Sequence, residues 1–154
     1  MFRDRSFRYA RWTGRTRRLG NYLHGLGLGC HTPRSELAGW ESGQDHLALY
    51  LYNGNEYLEG MLGGYKARVA PFNVNYRYVD DELVYLLNDA GARAIVYHAE
   101  FAPRVAAVRD RVPSLEHLLQ VADDSGNELL PGAVDYEAAL ADSSAERPDV
   151  EWSP

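Results

Sequence analysis

The chain has 154 residues, 45% of them hydrophobic and 25% charged, an ordinary balance for one globular domain and not for a disordered or fibrous chain. Its apolar runs fall far short of the roughly 20 residues a spanning helix needs, so no transmembrane segment is expected, and no export leader is expected either. The single cysteine, Cys30, excludes an internal disulfide and a multi-cysteine zinc site, and it fits a reducing, cytoplasmic setting.

The net charge of −6 is unevenly spread. Residues 1–18 hold seven arginines against one acid, a balance of +6, which leaves −12 on the remainder. Arginine-rich starts occur in nucleic-acid and anionic-lipid binders. No recognised nucleic-acid motif accompanies this one, so the reading is a solvated helix face plus a loose terminus, with no nucleic-acid partner.

Tyr9–Leu26 places Trp12, Leu19, Leu23 and Leu26 at helical spacing with arginines between them. The run Gly25-Leu-Gly-Leu-Gly29 stops that helix, because glycine readily takes the left-handed conformation. Cys30–Gln44 is polar and reads as a long exposed loop. His46–Tyr52 is nearly continuously apolar, the pattern of a strand covered on both faces. After the Asn53-Gly54-Asn55 turn, Asn55 reads as the N-cap of a helix. Tyr57, Leu58, Met61, Leu62 and Tyr65 are expected to form its buried face. Gly60, Gly63 and Gly64 cost that helix about 1 kcal/mol each relative to alanine and point to close approach to a sheet.

Arg68–Asn73 holds a second strand, expected to end around Pro71. Asp80 reads as the next N-cap, with Val79 stapled onto the first turn and Leu83, Leu86 and Leu87 inward. Ala94–Tyr97 is a third strand, Pro103–Arg111 a helix, Leu115–Val121 a fourth strand and Val134–Ala141 a last short helix. Ala122–Pro154 reads as a peripheral segment ending in a tail. The alternation gives an α/β class: a mostly parallel sheet with helices on both faces.

Ligands of such sheets bind beyond the carboxyl ends of the strands, here Asn53–Asn55, Asn73–Tyr76, His98–Phe101 and Ala122–Ser125. The glycines at 25–29 are not a nucleotide loop, since a helix precedes them and a polar loop follows. Receiver-type phosphoacceptor chemistry wants an aspartate at a strand end, where the first strand has the neutral Asn53. The five histidines show no i, i+4 pair, and His98 near Glu100 reads as an exposed strand end rather than a metal ligand. Cys30 has no evident base. Tyr57, Tyr65 and Tyr85 read as core or core-edge residues. The residues alone therefore give an α/β domain without a complete catalytic set, and a free-standing binding or regulatory module stays open beside any enzymatic reading.

Residues 46–98 carry an ordered series of features: an apolar strand into Asn53-x-x-Glu56-Tyr57, a small-residue helix, a strand into Pro71-Phe72-Asn73-x-Asn75, acids opening a helix at Asp80–Glu82, and Asn88-Asp89-x-Gly91-Ala92-Arg93 into the next strand. In this the chain resembles the N-terminal portion of the AMP-forming acyl-CoA synthetases, in the branch acting on fatty acids or steroid side-chain acids. The resemblance implies the N-terminal part of the large domain of an adenylate-forming ligase. Full-length relatives use ATP and magnesium to adenylate a carboxylate and pass the acyl group to coenzyme A. It divides the chain into an arginine-rich, poorly matched start (1–14), part of the AMP-binding domain (15–141) and a tail leading to the phosphate loop (142–154). That loop, the adenine- and ribose-binding segments and the catalytic lysine have no counterpart in these residues, so no catalytic, cofactor-binding or metal residue transfers. Asn53, Glu56, Tyr57, Pro71, Asn73, Asn75 and Gly91 carry over as structural signature positions only.

Overall fold

The segment His46-Leu-Ala-Leu-Tyr50 has no polar residue after its first, and such a strand has to be covered on both faces. The computed structural model, which describes residues 8–151, shows that cover. The expected loose terminus over 1–7 lies outside the described residues. In chain order the elements are α1 (Tyr9–Gly25), β1 (His46–Tyr50), α2 (Asn55–Lys66), β2 (Ala70–Asn73), α3 (Asp80–Asp89), β3 (Ala92–His98), α4 (Ala102–Val108), β4 (His117–Val121), β5 (Ala133–Asp135) and α5 (Tyr136–Ala141), with 3-10 turns at Arg34–Glu36, Ala99–Phe101 and Arg109–Arg111.

All five strands are parallel, in the order β2-β1-β3-β4-β5. Alternate residues of each strand feed opposite faces. Leu47 and Leu49 of β1, Val96 of β3 and Leu119 of β4 pack with Leu19 and Leu23 of α1 and with Tyr136 and Leu140 of α5. Ala48 and Tyr50, Ile95 and Tyr97, and Leu118 pack with Leu83 and Leu87 of α3 and Val105 and Val108 of α4. The expected α/β sheet with helices on both faces is therefore present, and it is parallel throughout.

Several local expectations are corrected. Gly54, not Asn55, is the N-cap of α2. Val79, not Asp80, is the N-cap of α3, where its N–H donates to Glu82 Oε2 at 3.0 Å, and Val79 itself is exposed. β2 runs through Pro71 to Asn73, because an edge strand tolerates a missing N–H on its outer side. The last helix, expected from Val134, begins at Tyr136: Ala133–Asp135 is a fifth strand against β4, and Asp135 Oδ1 then accepts from Ala138 N to cap α5. The segment after Ala122 is not peripheral: Tyr136 is fully buried, and residues 142–151 run along α1. There Asn21 Nδ2 donates to the carbonyls of Ser144 and Glu146, and Pro148 is buried beside Gly20.

The largest correction concerns α2. Its buried residues are Glu56, Glu59, Gly60, Gly63 and Gly64, a perfect i, i+3, i+4, i+7, i+8 stripe without a single large apolar side chain. Of the expected buried face, Leu58 is 53% exposed and Tyr65 is 52% exposed. Tyr57 and Met61 are half-buried and pack against the core from the side. Tyr85 on α3 is 71% exposed and belongs to no core. A Cβ on Gly60 would lie 2.6 Å from Leu49 Cδ2 of the sheet, and one on Gly63 would lie 2.7 Å from Leu19 Cδ2 of α1. The glycines thus serve close approach to a second helix as well as to the sheet. Arg68 takes φ +60° just past the end of α2, where its N–H and that of Val69 bond back to Tyr65 and Gly64 in a Schellman closure.

Candidate functional site

In a parallel sheet of this order the chain reverses direction between β1 and β3, and the crevice beyond their carboxyl ends is where ligands sit. Three of the loops singled out in the sequence meet there. Tyr52 follows β1, Tyr76 follows β2, and His98 ends β3 ahead of Phe101. Their rings form a continuous cluster: Tyr50 and Phe101 stack at 4.3 Å, and Tyr52 lies 5.0 Å from both Tyr76 and Phe101 and 5.6 Å from His98.

His98 is buried, not an exposed strand end. Its Nδ1 accepts the backbone N–H of Tyr52 at 3.1 Å, which puts the proton of the neutral ring on Nε2. Arg104 of α4 donates through Nη1 to Tyr50 Oη and to the Tyr78 carbonyl, both at 2.7 Å. Beside these groups opens a cleft of about 470 Å³ lined by Tyr52, Tyr76, Asp80, Glu100, Phe101 and Arg104, among others. Burial and the nearby Glu100 carboxylate push the Tyr52 phenol up from its ordinary pKa. The fourth loop contributes Asp123, which accepts from the N–H groups of Glu100 and Ser125. Partial burial would raise Asp123, but the bonds to Ser125 and Glu100 outweigh it and hold the carboxyl below its usual range. Among the described residues no cluster of three or more His, Cys, Asp or Glu side chains is arranged to hold a metal ion.

Two polar networks escaped the sequence reading. Beneath α1, Glu59 accepts from Arg15 Nε at 2.7 Å, Arg15 Nη2 at 3.0 Å, Asn55 Nδ2 at 3.2 Å and Tyr136 Oη at 2.9 Å. Arg15 also pairs with Glu137. At the amino ends of the strands, Asp45 accepts from Gly29 N, His31 Nε2 and Arg93 Nη1, and Arg93 continues to Glu116. Burial would raise the Asp45 carboxyl; His31, the Gly29 amide and Arg93 outweigh it and lower it. The Asp45 network closes the base of the 30–44 loop, whose ends pair at Cys30 and Gln44. Cys30 itself is half-buried, with Sγ toward the Thr32 carbonyl. The only legible trace of the Glu59 network was positional: Glu56 and Glu59 fall in register with Gly60 and Gly63.

The sequence family of AMP-binding enzymes matches residues 1–153. The chain belongs to that family. It is 59% identical over 151 residues to the medium-chain acyl-CoA ligase Mig of Mycobacterium avium, covering 98% of this chain and 28% of the ligase. Against the 3-oxocholest-4-en-26-oate–CoA ligase of Rhodococcus rhodochrous it is 33% identical over 144 residues, covering 93% of this chain and 24% of the ligase. The chain therefore spans about a quarter of the length of the curated relatives it matches. Among solved structures, the N-terminal domain of FACL13 from Mycobacterium tuberculosis superimposes with a TM-score of 0.73 at 22% identity, over 98% of this chain and 32% of that one. At that identity the likeness shows the fold, the one expected from residues 46–98. The family relationship read from those residues is likewise borne out.

Within this AMP-binding family fold, the seven signature positions are dispersed. Asn53 is exposed in the turn after β1, Glu56 is buried under α2 and Tyr57 is half-buried beside it. Pro71 sits on edge strand β2 against Gly64, and Asn73 ends that strand. Asn75 Oδ1 accepts from Arg77 N in the following turn, and Gly91 takes φ +56° between α3 and β3. The structure does not bring them together into one site.

Proposed function

We propose that this chain is the opening part of an ATP-dependent acyl-CoA synthetase that adenylates a fatty acid or steroid side-chain acid and transfers the acyl group to coenzyme A. The observation that carries this reading is the 59% identity, over 98% of the chain, to a medium-chain acyl-CoA ligase. Residues 15–141 contribute to the AMP-binding domain, 1–14 form a basic start, and 142–154 lead toward the phosphate-binding segment of the parent. The part played by these residues is scaffold and one wall of the acyl pocket.

Adenylation depends on cations and backbone amides set around the transferring phosphates. The carboxyl-end cleft does not fit that role. Asp80 and Glu100 line it, and its one arginine is already committed to Tyr50 and Tyr78. No step through ATP, magnesium or coenzyme A follows from these side chains, and the chain alone holds none of the three. ATP–pyrophosphate exchange with a medium-chain fatty acid tests the reading: the 154-residue chain gives background exchange only. Exchange above background from the chain alone refutes the assignment of phosphate handling to the rest of a parent enzyme.

A further inference from the structure

Another cavity opens at the amino ends of the strands, at the opposite end of the sheet from the aromatic crevice. It encloses about 470 Å³ between the 30–44 loop and the end of α2, with Arg34, Leu37, Glu41, Tyr65 and Arg68 on its walls. The loop wall is tightly closed. The N–H groups of His31 and Thr32 both donate to the Gly43 carbonyl, and a Cβ on Gly43 would fall 2.1 Å from the Thr32 oxygen. Two independent observations point to a ligand. Arg34 Nη1 donates to the Ala38 carbonyl and Arg68 Nη1 to the Glu151 carbonyl, both at 2.8 Å. Carbonyls are neutral, and among the described residues neither arginine meets a carboxylate, whereas Arg15, Arg93 and Arg111 all do. Glu41, the one acid on the wall, is engaged by the Ala38 N–H. The backbone supplies the other observation: among the described residues Arg68 is the one non-glycine residue with positive φ. It stands just past α2, where glycine is the ordinary residue and an L side chain is strained. Glycine would close the helix as well, so the strain is kept for what the side chain does.

We propose that this cavity binds a small phosphate monoester with an apolar body, the phosphate held by Arg34 and Arg68 and the body lying against Leu37 and Tyr65. The guanidinium fork matches a tetrahedral oxyanion and makes charge-assisted bonds to it. Two such groups on one wall suit a phosphate of nearly two charges better than a carboxylate of one. The volume is that of a small-molecule site, and the closed loop holds its wall in place before the ligand arrives, which lowers the cost of ordering on binding. Leu37 is half-buried and Tyr65 is exposed, so both offer apolar surface to an aromatic or aliphatic group. The site lies away from the carboxyl ends of the strands, and the proposal does not rest on the acyl-CoA ligase reading.

The test is calorimetric titration of the 154-residue chain with phenyl phosphate, benzoate and phenol. Phenyl phosphate binds in the millimolar range or tighter. Phenol, which lacks the charge, binds at least about tenfold more weakly, and benzoate falls between the two. Arg34→Gln and Arg68→Gly each weaken phenyl phosphate by about tenfold or more. Arg68→Gly also relieves the left-handed strain, so its Tm holds or rises, which separates lost binding from lost folding. Tyr65→Ser weakens phenyl phosphate several-fold and leaves inorganic phosphate unchanged. Arg111→Gln, which removes the partner of Asp81 on α3, leaves every affinity unchanged. No binding of phenyl phosphate at millimolar concentration overturns the proposal, and so does benzoate or phenol binding as tightly as the phosphate. Full affinity in Arg34→Gln or Arg68→Gly overturns it as well. An equal loss in Arg111→Gln would reveal general charge attraction in place of a site, and overturns it too.

Discussion

A carboxylate removed from water costs several kcal/mol unless its oxygens are paired. Glu59 has no exposed surface, and it meets that cost with a two-point contact from Arg15 and with donors from Asn55 and Tyr136. The three donors come from α1, α2 and the start of α5, so one charge ties three helices together. Burial, then the Glu59 charge, pushes the Tyr136 phenol well above its ordinary value, which keeps it a donor. Glu59→Ala takes from Arg15 its buried partner while leaving it Glu137, and lowers the unfolding free energy by about 3–5 kcal/mol. Tyr136→Phe deletes one bond to a charged acceptor and lowers it by about 1.5–3 kcal/mol. Urea denaturation measures both. Asp45 acts at the other end of the sheet and shows itself through pH. Its folded pKa is lowered, so between the folded and unfolded values the unfolded chain holds a proton that the folded chain does not. Stability from this group is complete above the ordinary carboxylate value near 4 and is lost as pH falls through the folded value. Asp45→Asn therefore flattens the acid limb of a stability–pH profile below about pH 4 and destabilises the protein at neutral pH.

At the scale of elements, α2 shows where a sequence misleads. Its large apolar residues form a stripe of their own, and hydrophobic periodicity selects that stripe. The structure instead turns inward the adjacent line of two glutamates and three glycines, because α1 and β1 stand too close for side chains. Polarity hid the glutamates, and the partners of Glu59 on α1 and α5 lie 44 and 77 residues away. The glycines were the available signal, and they were legible as marks of close approach. Strands β1 to β4 were legible because each is a nearly continuous apolar run between turn residues. β5 was not, since three residues running straight into a helix have no period of their own. The aromatic crevice was legible in position, from the rule about strand ends, but not in content, since His98 packs against the ring of Tyr52 from the loop after β1 as well as against Phe101 of its own loop. The glycine argument predicts opposite signs for one substitution. Gly63→Ala gains about 1 kcal/mol of helix propensity but drives Cβ into Leu19, including its Cβ at 2.9 Å, which cannot swing aside. The overpacking costs about 1–3 kcal/mol, so the variant is destabilised. Gly14→Ala on α1 meets nothing within 4 Å and raises stability by up to about 1 kcal/mol. Thermal melts of the two variants should move in opposite directions.

For the whole molecule the question is whether two core clusters make one folding unit or two. They lie on opposite faces of one sheet and use alternate residues of the same strands: Leu47 and Leu49 face α1, while Ala48 and Tyr50 face α3 and α4. A strand cannot loosen on one face and hold its register on the other, because a slip of one residue exchanges the two sets. The sheet's edges do not offer an easy route to separate opening either, since β2 carries Pro71 and β5 is three residues long. Leu19 of α1 and Leu83 of α3 are both fully buried, one on each face. Leu19→Ala and Leu83→Ala should each cost about 2–5 kcal/mol, the range for a leucine cavity in a packed core. If the faces are coupled as the alternation requires, native-state hydrogen exchange shows protection falling by the same free energy at the most protected amides of α1 and α3 in either variant. Loss confined to the substituted face would mean that the strands tolerate separate opening, and that cover on one face can be removed without disturbing the other.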